Sequence, residues 1–289
     1  MVLTLDQINA LAEPDFLAAL GGVFEGAPWV AERAWYMQPF ASITALHQAM
    51  YNAVRGMAPL ARIAWLNTFP DLDTAMGRAV SAASVAEHDG LGLARLDAAR
   101  LAQLRDGNAA YRTRFGFPFI LCARRHTLAS VLREQARRLR SDLASERARA
   151  MDEVFLITRL RLAERISGPG VAAMHGGLRV RVLESGSGQP VAGIPVTLCE
   201  IDGDVALALV SLATNAEGGT DRPLLSGGPL RMGHYELRVD KRSHFARAPT
   251  CLEIIPIRIG IAEPEAQYLV TLQVGPWDYA VQVTAERGG

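Results

Sequence analysis

Two periodicities in one chain predict a protein that is α+β by domains, with an all-helical first half followed by an antiparallel β-sandwich. Three observations carry this. Residues 1–167 repeat apolar positions at helical spacing, and residues 178–289 alternate with period two between turn-forming clusters. Residues 168–177, in "SGPGVAAMHGG", are rich in Gly and small residues and have no period, so they read as a linker. A length of 289 residues suits two domains, and a hydrophobic fraction of 49% is ample for packed cores.

The clearest helix is "SDLASERARAMDEVFLITRLRLAERI". Ser145 is its expected N-cap, and apolar positions recur through Met151, Phe155, Leu162 and Ile166. A neighbouring line through Ala150, Val154 and Ile157 reaches Arg161, which therefore sits at the edge of an apolar face. An arginine there either packs its stem and sends its head to water, or aims into a pocket for an anion. Upstream, "REQARRLRSDLASERAR" reads as a solvated helix face with Glu134 and Arg138 at i,i+4. No aromatics are regularly interleaved with it, which argues against a nucleic-acid partner.

"RFGFPFI", Arg114 to Ile120, cannot continue a helix. Gly116 accepts φ > 0, while Pro118 fixes its own φ and supplies no N–H. The segment is too apolar for a solvent loop. It reads as a buried connection between helices, or as a place where backbone approaches a ligand closely.

In the second half "LRVRVLES", "GIPVTLCEI", "HYELRVD" and "YLVTLQV" alternate or carry β-formers, and "SGSGQP" and "NAEGGTD" are turns between them. The turn "ESGSGQP" is not a phosphate cradle, and the chain holds no GxGxxG after a strand, no P-loop and no HExxH.

Composition excludes several classes. Formal net charge is zero, so no polyanionic partner is predicted; Lys241 is the only lysine, a compositional bias rather than nucleic-acid chemistry. The start "MVLTLDQINAL" lacks a basic region followed by an apolar run, and no apolar stretch reaches the roughly 18 residues of a membrane span. Cys122, Cys199 and Cys251 are odd in number and far apart, against a disulfide framework or a cysteine zinc site. A soluble cytoplasmic protein without a membrane partner is the expectation.

Four strings, "VFEGAPWVAERAW", "SVAEHDGLGL", "YRTRFGFPFI" and "EVFLITRLRL", occur in this order at suitable spacing. Together they resemble the 2-oxo-4-hydroxy-4-carboxy-5-ureidoimidazoline (OHCU) decarboxylase family, all-helical enzymes of urate breakdown, over almost all of residues 1–167. The second half resembles the transthyretin/5-hydroxyisourate hydrolase family through "VRVLESGSGQPVAGIPVTL", "TNAEGGTDRPLL" and "GHYELRV". A decarboxylase followed by a hydrolase is the order of the fused bacterial allantoin synthases. The resemblance implies a transthyretin-like sandwich, a homo-oligomer, a small-molecule substrate, and neither cofactor nor metal.

It also implies site residues. The bend Phe115, Gly116, Phe117, Pro118, Phe119 and Ile120 would lie beside the substrate with its backbone in contact. Ser84 and Glu87 match a family serine and glutamate near the substrate, although Ser-x-x-Glu is also a capping box. Glu87 would hold a ureido N–H or act as general acid/base. His88 stands where the family has glutamine, and is either a relocated proton donor or a surface residue. Arg161 matches an arginine that binds a substrate carboxylate. His47 fits the family's helix pattern and receives no role.

The chain departs from both families at the residues that move protons. "TFPDL" puts Phe69 where the decarboxylase motif "AHPDL" has its histidine. Decarboxylation leaves carbanion-like density that must be protonated, and phenylalanine carries no proton. The residues around it still read as a helix start, with Asn67 or Thr68 as cap and Pro70 as first residue. In the second half Arg181 replaces the first-strand histidine, Gly219 the arginine of "DGR", and Leu269 the histidine of "HYHVPL". The closing "YRGS"-like tail is absent from "YAVQVTAERGG". His234 and His244 read as turn or surface residues.

The expectation is a divergent decarboxylase-like enzyme acting on a small carboxylated or ureido heterocycle related to urate breakdown, with the β half an oligomerising scaffold that does not hydrolyse hydroxyisourate. The alternative is a non-catalytic ligand-binding or regulatory protein, with a transthyretin-like channel between subunits as one form.

Overall fold

The computed structural model describes residues 2–72, 98–172, 174–242, 244–245 and 253–287. The chain divides into two units, Met1–Arg124 with Ser130–Ala172, and Arg125–Ala129 with Ala173–Gly289. Ser84, Glu87, His88 and Cys251 lie outside the described residues. Among the described residues, no helix is long and apolar enough to cross a membrane.

In the first unit the chain ends meet. β1 (Leu3–Thr4) pairs in parallel with β2 (Ile166–Ser167). α1 (Leu5–Asn9) opens on a capping box, in which Thr4 Oγ1 accepts from the Gln7 N–H and Gln7 Oε1 accepts from the Thr4 N–H. α2 (Glu13–Leu20), α3 (Trp29–Trp35), α4 (Ile43–Arg55) and α5 (Pro59–Leu66) follow. Ser42 caps α4 by accepting from the Ala45 N–H at 3.1 Å, and prolines start α2 and α5, where a missing N–H has no cost. α6 (Ala98–Phe115), α7 (Leu128–Arg138) and α8 (Leu143–Ala163) complete the helices of the described residues. Beyond β2 the chain stays on this unit: Pro169 O accepts from the Ile43 N–H, and Gly170 O from Thr44 Oγ1.

Two local expectations are corrected. The N-cap of α8 is Asp142, whose carboxylate accepts from the Ser145 N–H at 2.9 Å and the Ser145 hydroxyl at 2.6 Å; Ser145 is the capped residue. Nor is the Arg-rich run uniformly solvated. Glu134 pairs with Arg137, while Arg138 is fully buried and pairs with the equally buried Glu146. Tyr111 Oη donates to Glu146 Oε1 at 2.6 Å, and Arg138 Nη1 donates to Ile120 O at 2.9 Å. Burial raises the Tyr111 pKa, so the phenol stays protonated and donates. Charges removed from water need such partners; here they converge on Glu146 Oε1, and Glu146 Oε2 is buried without one.

The second unit contains two sheets, ordered β3-β8-β9 and β5-β4-β6-β7, built from β3 (Gly177–Glu184), β4 (Pro195–Asp202), β5 (Val205–Ala213), β6 (Gly233–Asp240), β7 (Ile254–Ile261), β8 (Ala266–Val274) and β9 (Tyr279–Arg287). Period two places Leu178, Val180 and Val182 of β3, Leu237 and Val239 of β6, and Val270, Leu272 and Val274 of β8 in one core. The expected purely antiparallel arrangement is corrected at one pairing: β3 and β8 run parallel, Gly177 opposite Gln267 through Glu184 opposite Val274. These strands are far apart in sequence, and a long crossover permits a parallel pair where a hairpin does not. Lys241 is buried, its ammonium donating to the carbonyls of Gly275 and Pro276. β9 forms an edge on which every residue is exposed, Val281 and Val283 included; β5 likewise exposes Val205, Leu207 and Leu209. His234 lies on the exposed side of β6, in a strand rather than a turn.

Candidate functional site

The bend after α6 is built by its glycine. The Gly116 N–H closes the helix on Arg112 O at 2.8 Å, and Gly116 takes φ 78°, with open space where a Cβ would point. The phenylalanines turn inward. Phe115, Phe117 and Phe119 are buried with ring centroids 4.7, 5.8 and 5.2 Å from Tyr111. Pro118 and Ile120 are buried too, and Gly116 is the exposed member of the stretch. Their aromatic surface is therefore core. The backbone N–H groups of Phe117 and Phe119 have no hydrogen-bond partner among the described residues.

The "NTFPD" stretch is tied to this bend. Asn67 Nδ2 donates to Gly116 O at 2.9 Å, and Asn67 Oδ1 accepts from Arg112 Nη1 at 3.1 Å. Arg112 Nε also donates to both carboxylate oxygens of Asp71 at 2.9 Å. Asn67 is the C-cap of α5, and any helix after Pro70 lies outside the described residues. Phe69 is 5% exposed and packs edge-on against Trp65 at 5.4 Å.

Glu25 joins these groups to Arg161. Its backbone carbonyl accepts from Trp65 Nε1 at 2.8 Å and from Thr68 Oγ1 at 3.5 Å, while its carboxylate accepts from Arg161 Nη1 at 3.0 Å. Gly26 makes the approach possible: it takes φ 60°, and a Cβ there would lie 2.9 Å from Thr68 Oγ1. Arg161, expected at the edge of a helix face, is 2% exposed; its head stays inside and also donates to Val23 O at 3.4 Å. The structure thus brings together Phe69, Gly116 and Arg161, through Glu25 and Asn67, from segments spread over most of the unit. Sequence reasoning does not single out Glu25, whose one mark is being an acid enclosed by "VF" and "GAPWV".

His47 is the other residue that sequence leaves without a role. It is buried, 4.6 Å from the Phe155 ring and 6.4 Å from that of Phe24. Thr158 Oγ1 donates to Val154 O at 2.8 Å, so at its 2.9 Å contact with His47 Nε2 it accepts, which fixes the Nε2–H tautomer. Burial first, and the Arg159 charge second, push its pKa down to about 4.

In the second unit Arg181, Gly219 and Leu269 line one cleft of about 320 Å³, together with Arg179, Asn215, Glu217 and Thr220. Register explains the convergence, since Arg179 lies opposite Leu269 and Arg181 opposite Thr271. Asn215 holds the facing loop: its N–H donates to Gly219 O, its Nδ2 to Asp221 Oδ1, and its Oδ1 accepts from the Glu217 N–H. No histidine of the described residues lines this cleft. Among the described residues, no group of three or more His, Cys, Asp or Glu is placed to hold a metal ion.

Residues 9–163, more than half of the chain, match the family described as OHCU decarboxylase. The chain belongs to that family. Residues 178–282 match the HIUase/Transthyretin family, so a decarboxylase-family domain is followed by a hydrolase/transthyretin-family domain. Within the first family, the 2-oxo-4-hydroxy-4-carboxy-5-ureidoimidazoline decarboxylase of Haloferax volcanii is 36% identical over 165 residues, covering 57% of this chain and 97% of its own length. The 5-hydroxyisourate hydrolase of Deinococcus radiodurans is 34% identical over 111 residues, 37% of this chain and 93% of its own. Across both domains the crystal structure of an (S)-allantoin synthase aligns with TM-score 0.52 and 26% identity, covering 98% of this chain and all of that one.

The His47 environment generates a pH dependence. An unfolded histidine takes up its proton near pH 6.5, the folded one only near pH 4. Stability is therefore fully present above pH 6.5 and is lost as pH falls towards 4, by up to about 3 kcal/mol. Urea unfolding followed by tryptophan fluorescence at pH 7.5 and 4.5 is expected to show that loss, and His47→Gln to reduce it. An unchanged pH slope in the variant contradicts this reading.

Proposed function

We propose that the helical domain is a divergent OHCU decarboxylase-family enzyme acting on a small carboxylated or ureido heterocycle related to urate breakdown. The observation that carries this is Arg161, held in a buried pair with Glu25 beside the Phe69 and Gly116 segments. A guanidinium taken out of water and oriented by a carboxylate and a carbonyl suits charge-assisted binding of a substrate carboxylate. The N–H groups of Phe117 and Phe119 would orient the ring or its ureido arm. Glu87, with Ser84 and His88 near it in sequence, is the proposed acid/base, because Phe69 moves no proton. The β domain, residues 178–289 after a linker at 168–177, is the proposed scaffold.

A cleft holding Arg181, Gly219 and Leu269 in place of two histidines and an arginine has lost the family's water-activating groups at those positions, and Glu217 is the carboxylate among its described lining residues, which supports a domain without hydroxyisourate hydrolysis by the family mechanism. The apolar edges β5 and β9 support a homo-oligomer, since uncovered edge strands invite pairing. Multi-angle light scattering is expected to show more than one copy per particle, and a monomer at micromolar concentration counts against it.

One observation favours a second reading, a non-catalytic ligand-binding or regulatory protein. Phe69, 5% exposed and packed edge-on against Trp65, is a buried ring without a proton to give at the position where the family resemblance puts a histidine. One experiment separates the two. Purified chain is incubated with a panel of urate-derived heterocycles that includes 5-hydroxyisourate and OHCU. Turnover of a carboxylated or ureido member is expected, with loss of 5-hydroxyisourate at its spontaneous rate. Glu87→Gln should lower that turnover by roughly 10²–10⁴-fold, and Arg161→Ala should weaken binding by roughly 2–5 kcal/mol. Binding without turnover across the panel selects the second reading. Turnover indifferent to both substitutions means the chemistry is elsewhere.

A further inference from the structure

A second cleft, of about 650 Å³, lies in the helical unit between α4, α5 and the first half of α8. Its floor is apolar, formed by Tyr51, Ile63, Leu66 and Met151; Tyr51 Oη donates to Met151 O at 3.2 Å, which joins α4 to α8 beneath it. Its walls are cationic. Arg55, Arg62 and Arg147 line it against a single carboxylate, Asp152, so the lining carries a formal charge of about +2.

These arginines are not spent on one another's neighbours. None of the three makes an ion pair among the described residues, and neither does Asp152. Arg62 Nη1 reaches the Arg55 backbone carbonyl at 3.4 Å, which holds the Arg62 head near the end of α4. Arg147 Nε is buried with no hydrogen-bond partner. A buried donor without an acceptor is uncommon. The Tyr51 pKa is raised by burial first and by Asp152 second, and lowered by Arg55 and Arg62, so these charges converge over the floor.

The cleft does not include Arg161, although α5 serves both regions, with Leu66 lining the cleft and Trp65 and Asn67 on either side of it in sequence tied to the Glu25 and Gly116 segments. Met151 and Arg161 are ten residues apart on one helix, roughly 15 Å of rise. Its volume is in the range of metabolite pockets and well beyond one inorganic anion. Guanidinium groups above an apolar floor select an oxyanion carried on an apolar body. We propose that this cleft binds a small anionic ligand, a carboxylate or phosphate on an apolar or aromatic body, held by Arg55, Arg62 and Arg147 over Tyr51 and Met151.

The test uses the full chain with benzoate, phenyl phosphate and neutral benzyl alcohol as probes. Isothermal titration gives affinity, and the ¹³C-methyl resonance of Met151, assigned through Met151→Leu, gives location. Saturable binding of at least one anion is expected, weakening with salt, shifting the Met151 methyl, and absent for benzyl alcohol. Preference for benzoate identifies a carboxylate site, and preference for phenyl phosphate a phosphate site. The double variant R62Q/R147Q should weaken binding at least tenfold, whereas Arg161→Ala should leave it within twofold. If the double variant fails to fold, Arg55→Gln at an exposed position should still weaken binding and flatten its salt dependence. No saturable binding of either anion, a Met151 methyl that does not move, or affinity indifferent to the cleft arginines overturns the proposal.

Discussion

A carboxylate buried near the start of the helical unit must meet a cation, and the arginine that meets it comes from 136 residues further along. The Glu25–Arg161 pair is the constraint from which much of the site follows. The Glu25 carboxylate fixes Arg161, and its carbonyl fixes Trp65 and Thr68. Thr68 precedes Phe69, and Asn67, one residue earlier, reaches the Gly116 carbonyl. Losing either charge would leave the other desolvated, which costs far more than an exposed pair contributes. The cost of that burial makes sense where the guanidinium must stay dry and aimed.

The same physics explains the aromatic bend. A helix ending at Phe115 has to reverse without exposing three phenylalanines, and Gly116 supplies the left-handed turn that lets the rings face Tyr111. Arg138 then accounts for the Ile120 carbonyl, and Glu146 accounts for Arg138. The rings exclude water from one side, while the N–H groups of Phe117 and Phe119 have no hydrogen-bond partner among the described residues. The Arg138–Glu146 and Arg161–Glu25 pairs therefore act differently, one inside the core and one standing beside the bend.

Much of the architecture is legible in the sequence because it is periodic. Alternation in "LRVRVLES" and "YLVTLQV" assigns the inward residues of β3 and β8, and helical spacing finds α8. Long-range pairing is not periodic, so it stays hidden. Nothing near Arg161 in sequence announces Glu25, and nothing in the Arg-rich run separates Arg138, with its partner Glu146 on the next helix, from its solvated neighbours. The cap of α8 is misassigned because Asp142 and Ser145 are both good caps three residues apart, and only geometry tells which one accepts. The parallel β3–β8 pair escapes because strand patterns carry no direction. The family resemblance singles out Phe69, Gly116 and Arg161, whose segments the structure links through Glu25 and Asn67, whereas His47 looks like any helix residue until its surroundings are seen.

The dependence of this unit on Glu25 and Arg161 acting as a pair is measured most directly by a double-mutant cycle. Unfolding free energies of the wild type, Glu25→Gln, Arg161→Met and the double variant, followed by tryptophan fluorescence, give the coupling between the two side chains. Each single variant is expected to be less stable than the wild type, with the double variant less destabilised than the sum and a coupling of about 1–3 kcal/mol. Effects that add to within about 0.5 kcal/mol would mean that the two groups do not depend on one another, and would contradict the account.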